Sequence, residues 1–143
     1  MIALNLQEAQ LFRLLADFFG RDQVIPHMSV MAVCGGALPE RIIAVDAQIS
    51  GWARRSKCLF TIVDPQDIPK MVVEFFSGFE CAIDVHEEEH QRLLAPILKA
   101  VGLRYVTISP SEFSELLDPH SALDLFTLLK AKVEQDAAMG DSL

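Results

Sequence analysis

The segment His86-Glu87-Glu88-Glu89-His90 has the residue types and spacing of a zinc-binding helix. Two histidines four residues apart share one helix face and can both bind Zn²⁺, and the intervening Glu87 can act as general base. A third ligand would come from Glu112, Glu115 or His120. The alternative is a solvated helix start, because acidic side chains in a first helical turn interact favourably with the helix dipole. We favour this alternative over a zinc hydrolase that uses His86, Glu87 and His90.

A second set of candidates is acidic. Glu74 lies in an apolar segment between Val73 and Phe75, and Asp64 directly follows another apolar segment. Two acidic oxygen ligands are the minimum for Mg²⁺ beside a phosphate. The alternative for Glu74, which we favour, is a strand-end carboxylate paired with a nearby arginine or lysine.

The densest basic segment contains Arg54, Arg55 and Lys57, with Trp52 beside it. A tryptophan next to cationic side chains is typical of surfaces that stack on nucleic-acid bases. The formal net charge of −8 opposes binding to a phosphate backbone, so nucleic acid is a weaker candidate partner. The favoured alternative is a solvated loop with Trp52 in the core.

Composition indicates one globular domain. The chain has 143 residues, of which 51% are hydrophobic, and we expect a single α/β domain over 1–136 with a flexible tail at 137–143. No apolar run reaches the roughly 18 residues of a membrane span, and the first residues lack the basic region of a signal peptide. Cys34, Cys58 and Cys81 form no CxxC pair, which favours reduced thiols and a cytoplasmic location. No glycine-rich nucleotide motif occurs, and we expect no cofactor.

Hydrophobic spacing predicts helices and strands in mixed order, which is typical of an α/β fold with a mixed sheet. Pro26 favours an edge strand or a bulge, and Pro96 is expected to kink or divide its helix. The predicted helices are 6–19, 40–54, 84–101, a short one from Ser109 and a longer one from about 118 to 135. The predicted strands lie within 24–34, at 58–63 and 71–76 as a hairpin with a six-residue connection, and at 103–108.

Several of these segments resemble one known family. They are Gln23-Val-Ile-Pro-His-Met-Ser-Val30, Leu59-Phe-Thr-Ile-Val-Asp64, Met71-Val-Val-Glu-Phe75 and Leu98-Lys-Ala-Val-Gly-Leu103. Over residues 7–109 the chain resembles a bacterial domain family of unknown function in the PD-(D/E)XK restriction-endonuclease-like superfamily. The resemblance implies an α-β-β-β-α-β core with a mixed sheet flanked by helices, to which C-terminal helices are added. It also implies an Asp on the second strand and a Glu-x-Lys on the third that hold a divalent metal.

The catalytic positions that the resemblance implies are largely replaced. Leu59 stands where the family has Asp, Phe76 stands where the superfamily has Lys, and Glu74 is retained. Asp64 would have to replace the missing acid from five residues away, and an odd shift along a strand turns the side chain to the other face. The leading hypothesis is therefore a non-catalytic interaction or scaffold domain on a degenerate endonuclease-like fold. The alternatives are a zinc hydrolase and a divergent metal-dependent nuclease, for which the resemblance makes Glu8, Asp64 and Glu74 the candidate acids.

The C-terminal helices suggest self-association. Leu125, Leu128 and Leu129 share one helix face that the core can cover, while Leu123 and Phe126 lie to its side. Exposed apolar area usually marks a partner surface, and a closed dimer is the commonest way to cover it. We therefore expect a homodimer, with another protein as the alternative partner and no membrane contact.

Overall fold

The structure is a computed structural model that describes residues 4–77 and 85–141, with side chains up to residue 134. It is a mixed α/β fold in which helices flank a four-stranded sheet. The strands are β1 (Val24–Ser29), β2 (Lys57–Val63), β3 (Pro69–Phe75) and β4 (Arg104–Ile108). The helices are α1 (Leu6–Phe19), α2 (Val30–Val33), α3 (Glu40–Val45), α4 (Ile49–Arg55), α5 (Val85–Ala100), α6 (Pro110–Leu117) and α7 (Leu125–Asp141).

The sheet has the order β1-β2-β3-β4, with β2 antiparallel to both neighbours and β3 parallel to β4. Parallel neighbours need a crossover connection, and α5 lies in the connection between β3 and β4. The predicted hairpin is confirmed as β2 and β3, although residues 64–68 make a connection of five residues and not six. Asp64 closes this connection, since its Oδ1 accepts the N–H groups of Gln66 at 2.8 Å and Ile68 at 3.0 Å.

β1 is an edge strand, as Pro26 predicted, because a residue without an N–H is tolerated where no further strand pairs. The strand does not extend to Cys34. It ends at Ser29, whose hydroxyl accepts the Ala32 N–H at 3.1 Å and caps α2. Serine at this position satisfies a helical N–H that has no backbone partner, so α2 begins inside the segment in which a strand was predicted.

The prediction of one helix over 40–54 is wrong, because α3 and α4 are separate. The Asp46 carboxylate accepts the Gln48 N–H at 2.9 Å. This side-chain hydrogen bond competes with the backbone hydrogen bonds of a continuous helix, and α3 therefore ends at Val45. Val45, the last residue of α3, is 88% exposed.

The two C-terminal predictions also change. α5 is not divided at Pro96, which lies on its exposed side. The longer helix does not restart at 118, since Asp118 accepts the His120 N–H at 2.9 Å and Ser121 accepts the Leu123 N–H at 3.1 Å. These local turns delay α7 to Leu125, and it continues to Asp141. The flexible tail at 137–143 stays a prediction, and residue 84, the predicted start of α5, lies outside the described residues.

The core consists of two clusters. The first packs α1, α6 and α7 on the sheet and takes in Leu125, Leu128 and Leu129, as predicted. Leu123 also packs partly against this cluster, contrary to expectation, whereas Phe126 is 57% exposed. The second cluster packs residues of α2, α4 and α5 around Cys58 and Val72. Cys34 and Cys58 are free thiols, and Cys81 lies outside the described residues.

Among the described residues, no helix is long and apolar enough to cross a membrane.

Candidate functional site

A buried carboxylate lies where two strands of the sheet stop pairing. The backbone register of β2 and β3 has Phe60 opposite Val73 as its last pair at this end. One residue further, the Leu59 N–H donates to Oε2 of Glu74 at 3.1 Å. Glu74 is only 5% exposed, so its carboxylate is an acceptor inside the protein and not a strand-end group in solvent.

Two further side chains donate to the same carboxylate. The His90 Nε2 atom lies 3.1 Å from Oε1 and 2.9 Å from Oε2 of Glu74. The Tyr105 hydroxyl donates to Oε1 at 2.6 Å, which is the short distance expected for a bond to an ionised group. Glu74 is thus paired as the favoured alternative proposed, but with histidine, tyrosine and a backbone amide in place of arginine or lysine. We call Glu74, His90 and Tyr105 the polar cluster.

Local structure explains why these residues meet. His90 precedes Leu94 and Ile97 at helical spacing, and both of those residues are buried, so the inward face of α5 carries His90 toward the sheet. In the β3–β4 register, Val72 lies opposite Tyr105 and Glu74 opposite Thr107. Tyr105 is therefore a diagonal neighbour of Glu74 on the same sheet face, within reach of a long side chain.

The electrostatics of the polar cluster follow from burial and from the charge of Glu74. Burial and the neighbouring Glu74 raise the pKa of Tyr105, and the same two causes raise the pKa of Cys58. The hydrogen bond to Glu74 raises the pKa of His90 above its ordinary value, although partial burial opposes this. The Tyr105 hydroxyl and the Cys58 thiol therefore keep their protons at neutral pH.

Two more contacts surround the cluster. Glu87, one turn before His90 on α5, accepts the N–H of Ser77, and the Ser77 hydroxyl lies 3.4 Å from its other oxygen. The rings of Trp52 on α4 and His90 are 5.7 Å apart, at an interplanar angle of 53°. α5 is thus tied both to the end of β3 and to α4.

The predicted zinc ligands have separate environments. His86 is exposed, whereas His90 directs Nε2 at Glu74. Of the predicted third ligands, Glu112 caps α6 and pairs with Lys132 at 3.0 Å, and Glu115 and His120 are exposed. Within residues 4–77 and 85–141, no group of three or more His, Cys, Asp and Glu side chains is placed to hold a metal ion.

The predicted nuclease acids are also apart. Glu8 closes a capping box at the start of α1, where it accepts the Asn5 N–H at 3.0 Å. Asp64 lies five residues along the chain from Leu59, a separation of roughly 16 Å for an extended strand. Hydrogen bonds from the Ile68 and Gln66 amides lower the pKa of Asp64, and Lys70 lies 3.7 Å away. Asp64 therefore stabilises the hairpin connection at the far end of β2.

The predicted nucleic-acid residues divide into two kinds. Trp52 packs partly against the second core cluster, as the favoured alternative proposed, and its ring contacts His90. Arg54, Arg55 and Lys57 are exposed. The Trp52 ring is therefore partly covered by the core and by the imidazole of His90.

Comparisons with protein-family models, with curated proteins and with solved structures find no match to this chain.

Sequence reasoning missed His90 as the partner of Glu74, and it missed Tyr105 entirely. The spacing of His90, Leu94 and Ile97 is the signal that would have placed His90 on the buried face of α5. Tyr105 has no comparable signal, because its position beside Glu74 depends on the register of a parallel strand pair. That register is fixed by the whole crossover and not by the residues of either strand.

Proposed function

We propose that this chain is a non-catalytic interaction or scaffold domain built on an endonuclease-like core. The order α1, β1, β2, β3, α5, β4 supports this core, since it has the α-β-β-β-α-β arrangement that the resemblance implies. The short helices α2 to α4 are then an insertion between the first two strands, and α6 and α7 are the added C-terminal helices.

The observation that carries the proposal is that protein donors already occupy both carboxylate oxygens of Glu74. Both carboxylate oxygens accept hydrogen bonds from protein donors, namely the Leu59 amide, His90 and the Tyr105 hydroxyl. A metal ligand must instead direct a lone pair at the ion, and Mg²⁺ needs near-octahedral oxygen coordination. The acid of the ancestral site has, on this proposal, become a structural acceptor that joins β2, β3, β4 and α5.

The two replaced positions support the same function. Leu59 supplies its amide to Glu74, and the Phe76 amide donates to the Ile108 carbonyl at 3.0 Å. Neither side chain can bind a metal or stabilise a phosphate. Each lost electrostatic contribution typically lowers the rate by about 10²–10³-fold, so the loss of both leaves little catalysis.

A cleavage assay tests the proposal. The protein is incubated with single- and double-stranded DNA and RNA in Mg²⁺ or Mn²⁺, beside Glu74→Gln and a matched Glu89→Gln variant on the exposed side of α5. We expect no cleavage that depends on Glu74. Cleavage by the wild type and Glu89→Gln that is absent from Glu74→Gln would contradict a non-catalytic function.

We propose a second copy of the chain as the interaction partner. Phe126 is 57% exposed and Phe18 is 46% exposed, and their rings lie 6.0 Å apart on neighbouring faces of α7 and α1. Two large aromatic rings in contact and open to solvent form the kind of apolar surface that a two-fold interface covers.

A further inference from the structure

Polar contacts hold the first half of α5 on the sheet, whereas apolar packing holds its second half. The buried residues of α5, Leu94, Ile97 and Leu98, all lie in its second half. In the first half, His90 bonds both oxygens of Glu74, and Glu87 accepts the Ser77 amide. The attachment of this half therefore depends on the charge state of the groups that make these contacts.

We propose that the Glu74–His90 contact is a pH-controlled latch, in which protonated His90 holds the first half of α5 on the sheet and loss of the proton loosens it. Glu74 is 5% exposed, so a negative charge on it needs a counter-charge inside the protein. Tyr105 and the Leu59 amide supply hydrogen bonds but no positive charge. Protonated His90 supplies that charge, and a neutral His90 leaves the carboxylate without it.

The other groups around His90 bring no second positive charge to Glu74. On α5, Glu87 adds a second negative charge one turn away, and β2 and β4 present the neutral groups of Cys58 and Tyr105. On α4, the uncharged Trp52 ring packs on His90, while Arg54 and Arg55 are exposed. From α3, Arg41 donates to the Ala100 carbonyl, ten residues or about 15 Å along α5 from His90.

The sign of the pH dependence follows from linkage. In the closed state the first half of α5 lies on the sheet, and in the released state the contact between His90 and Glu74 is broken. The hydrogen bond with Glu74 raises the pKa of His90 in the closed state above its value in the released state. The latch is then at full strength below the released value of about 6.5, and it is lost as the pH rises through the closed value. Across this window the ratio of closed to released protein falls about tenfold for each unit by which the two pKa values differ.

Trp52 makes the latch observable. It is the one tryptophan of the sequence, and its ring centroid lies 5.7 Å from that of His90. A protonated imidazole beside an indole quenches its fluorescence, so the emission reports the proton on His90. We would titrate Trp52 emission from about pH 5 to pH 9 in EDTA, in the wild type, in His90→Gln and in His86→Gln.

We expect the wild type and His86→Gln to brighten with a midpoint above about 6.5, and His90→Gln to stay flat. His86→Gln is the matched control, because it removes an exposed histidine one turn earlier on the same helix. Hydrogen exchange of residues 85–92, corrected for the intrinsic effect of pH, should lose protection over the same window in the wild type and not in His90→Gln.

Three results would overturn the latch. They are a flat Trp52 titration in the wild type, a midpoint at or below the ordinary value of histidine, and a loss of α5 protection that is equal in wild type and His90→Gln. If His90→Gln does not fold, the imidazole titrations of the wild type decide by NMR. The latch requires the His90 midpoint to lie above the ordinary histidine value of about 6.5, and a midpoint at or below that value would contradict it.

Discussion

Replacing Glu74 by alanine should destabilise the protein by about 2–6 kcal/mol, because two hydrogen-bond donors lose their acceptor. The substitution leaves the part-buried Leu59 amide and the Tyr105 hydroxyl without a partner, and each unsatisfied group costs about 1–3 kcal/mol. The His90 side chain is 28% exposed and can recover bonds from water, so we add little for it.

Urea unfolding at pH 6, followed by circular dichroism, measures this loss. Glu89→Ala is the control, since it removes an exposed carboxylate of α5, and it should change the free energy of unfolding by less than about 0.5 kcal/mol. An acid kept for catalysis behaves in the opposite way, because active-site groups are commonly maintained at a cost in stability. A Glu74→Ala protein as stable as the wild type, or more stable, would refute the structural role of this carboxylate.

Three further outcomes are expected. Thr61 Oγ1 is buried and has no hydrogen-bond partner among the described residues, so Thr61→Val should stabilise the protein by about 1 kcal/mol. The matched control is Thr107→Val at a partly buried position, and a melting temperature that Thr61→Val leaves unchanged would contradict this prediction. Elemental analysis of untagged protein should find no stoichiometric Zn²⁺, whereas one equivalent that His86→Ala removes would revive the zinc hydrolase. Light scattering should give twice the 15.9 kDa chain mass for the wild type, and the mass of the monomer for Phe126→Glu. Ile68→Glu, at a similarly exposed position, should remain dimeric, and a monomeric wild type would exclude the dimer.

Much of the fold could be predicted because local chemistry determines it. The capping box of Asn5 and Glu8, the hairpin around Asp64 and the edge position of β1 follow from residues close together in the chain. The break between α3 and α4 was missed because Asp46 fits a helix as a polar surface residue, and its bond to the Gln48 amide competes with helix only in context.

The polar cluster could be predicted only in part. Glu74 stands out in the sequence as an acid inside an apolar strand, and helical spacing points His90 inward. Their contact is tertiary, and so is the diagonal position of Tyr105, since both depend on how α5 crosses over the sheet. The H-E-x-x-H spacing drew attention to His86 and His90 as a pair, but their burial differs, since His86 is exposed and His90 bonds Glu74.

The most direct test of the central claim is anomalous diffraction from crystals soaked in Mn²⁺, which locates the ion in the presence of all its candidate ligands. We predict no manganese peak at Glu74, whose carboxylate should keep its bonds to Leu59, His90 and Tyr105. A manganese ion bound to the Glu74 carboxylate, with His90 or Tyr105 displaced, would contradict the account and identify the cluster as a metal site.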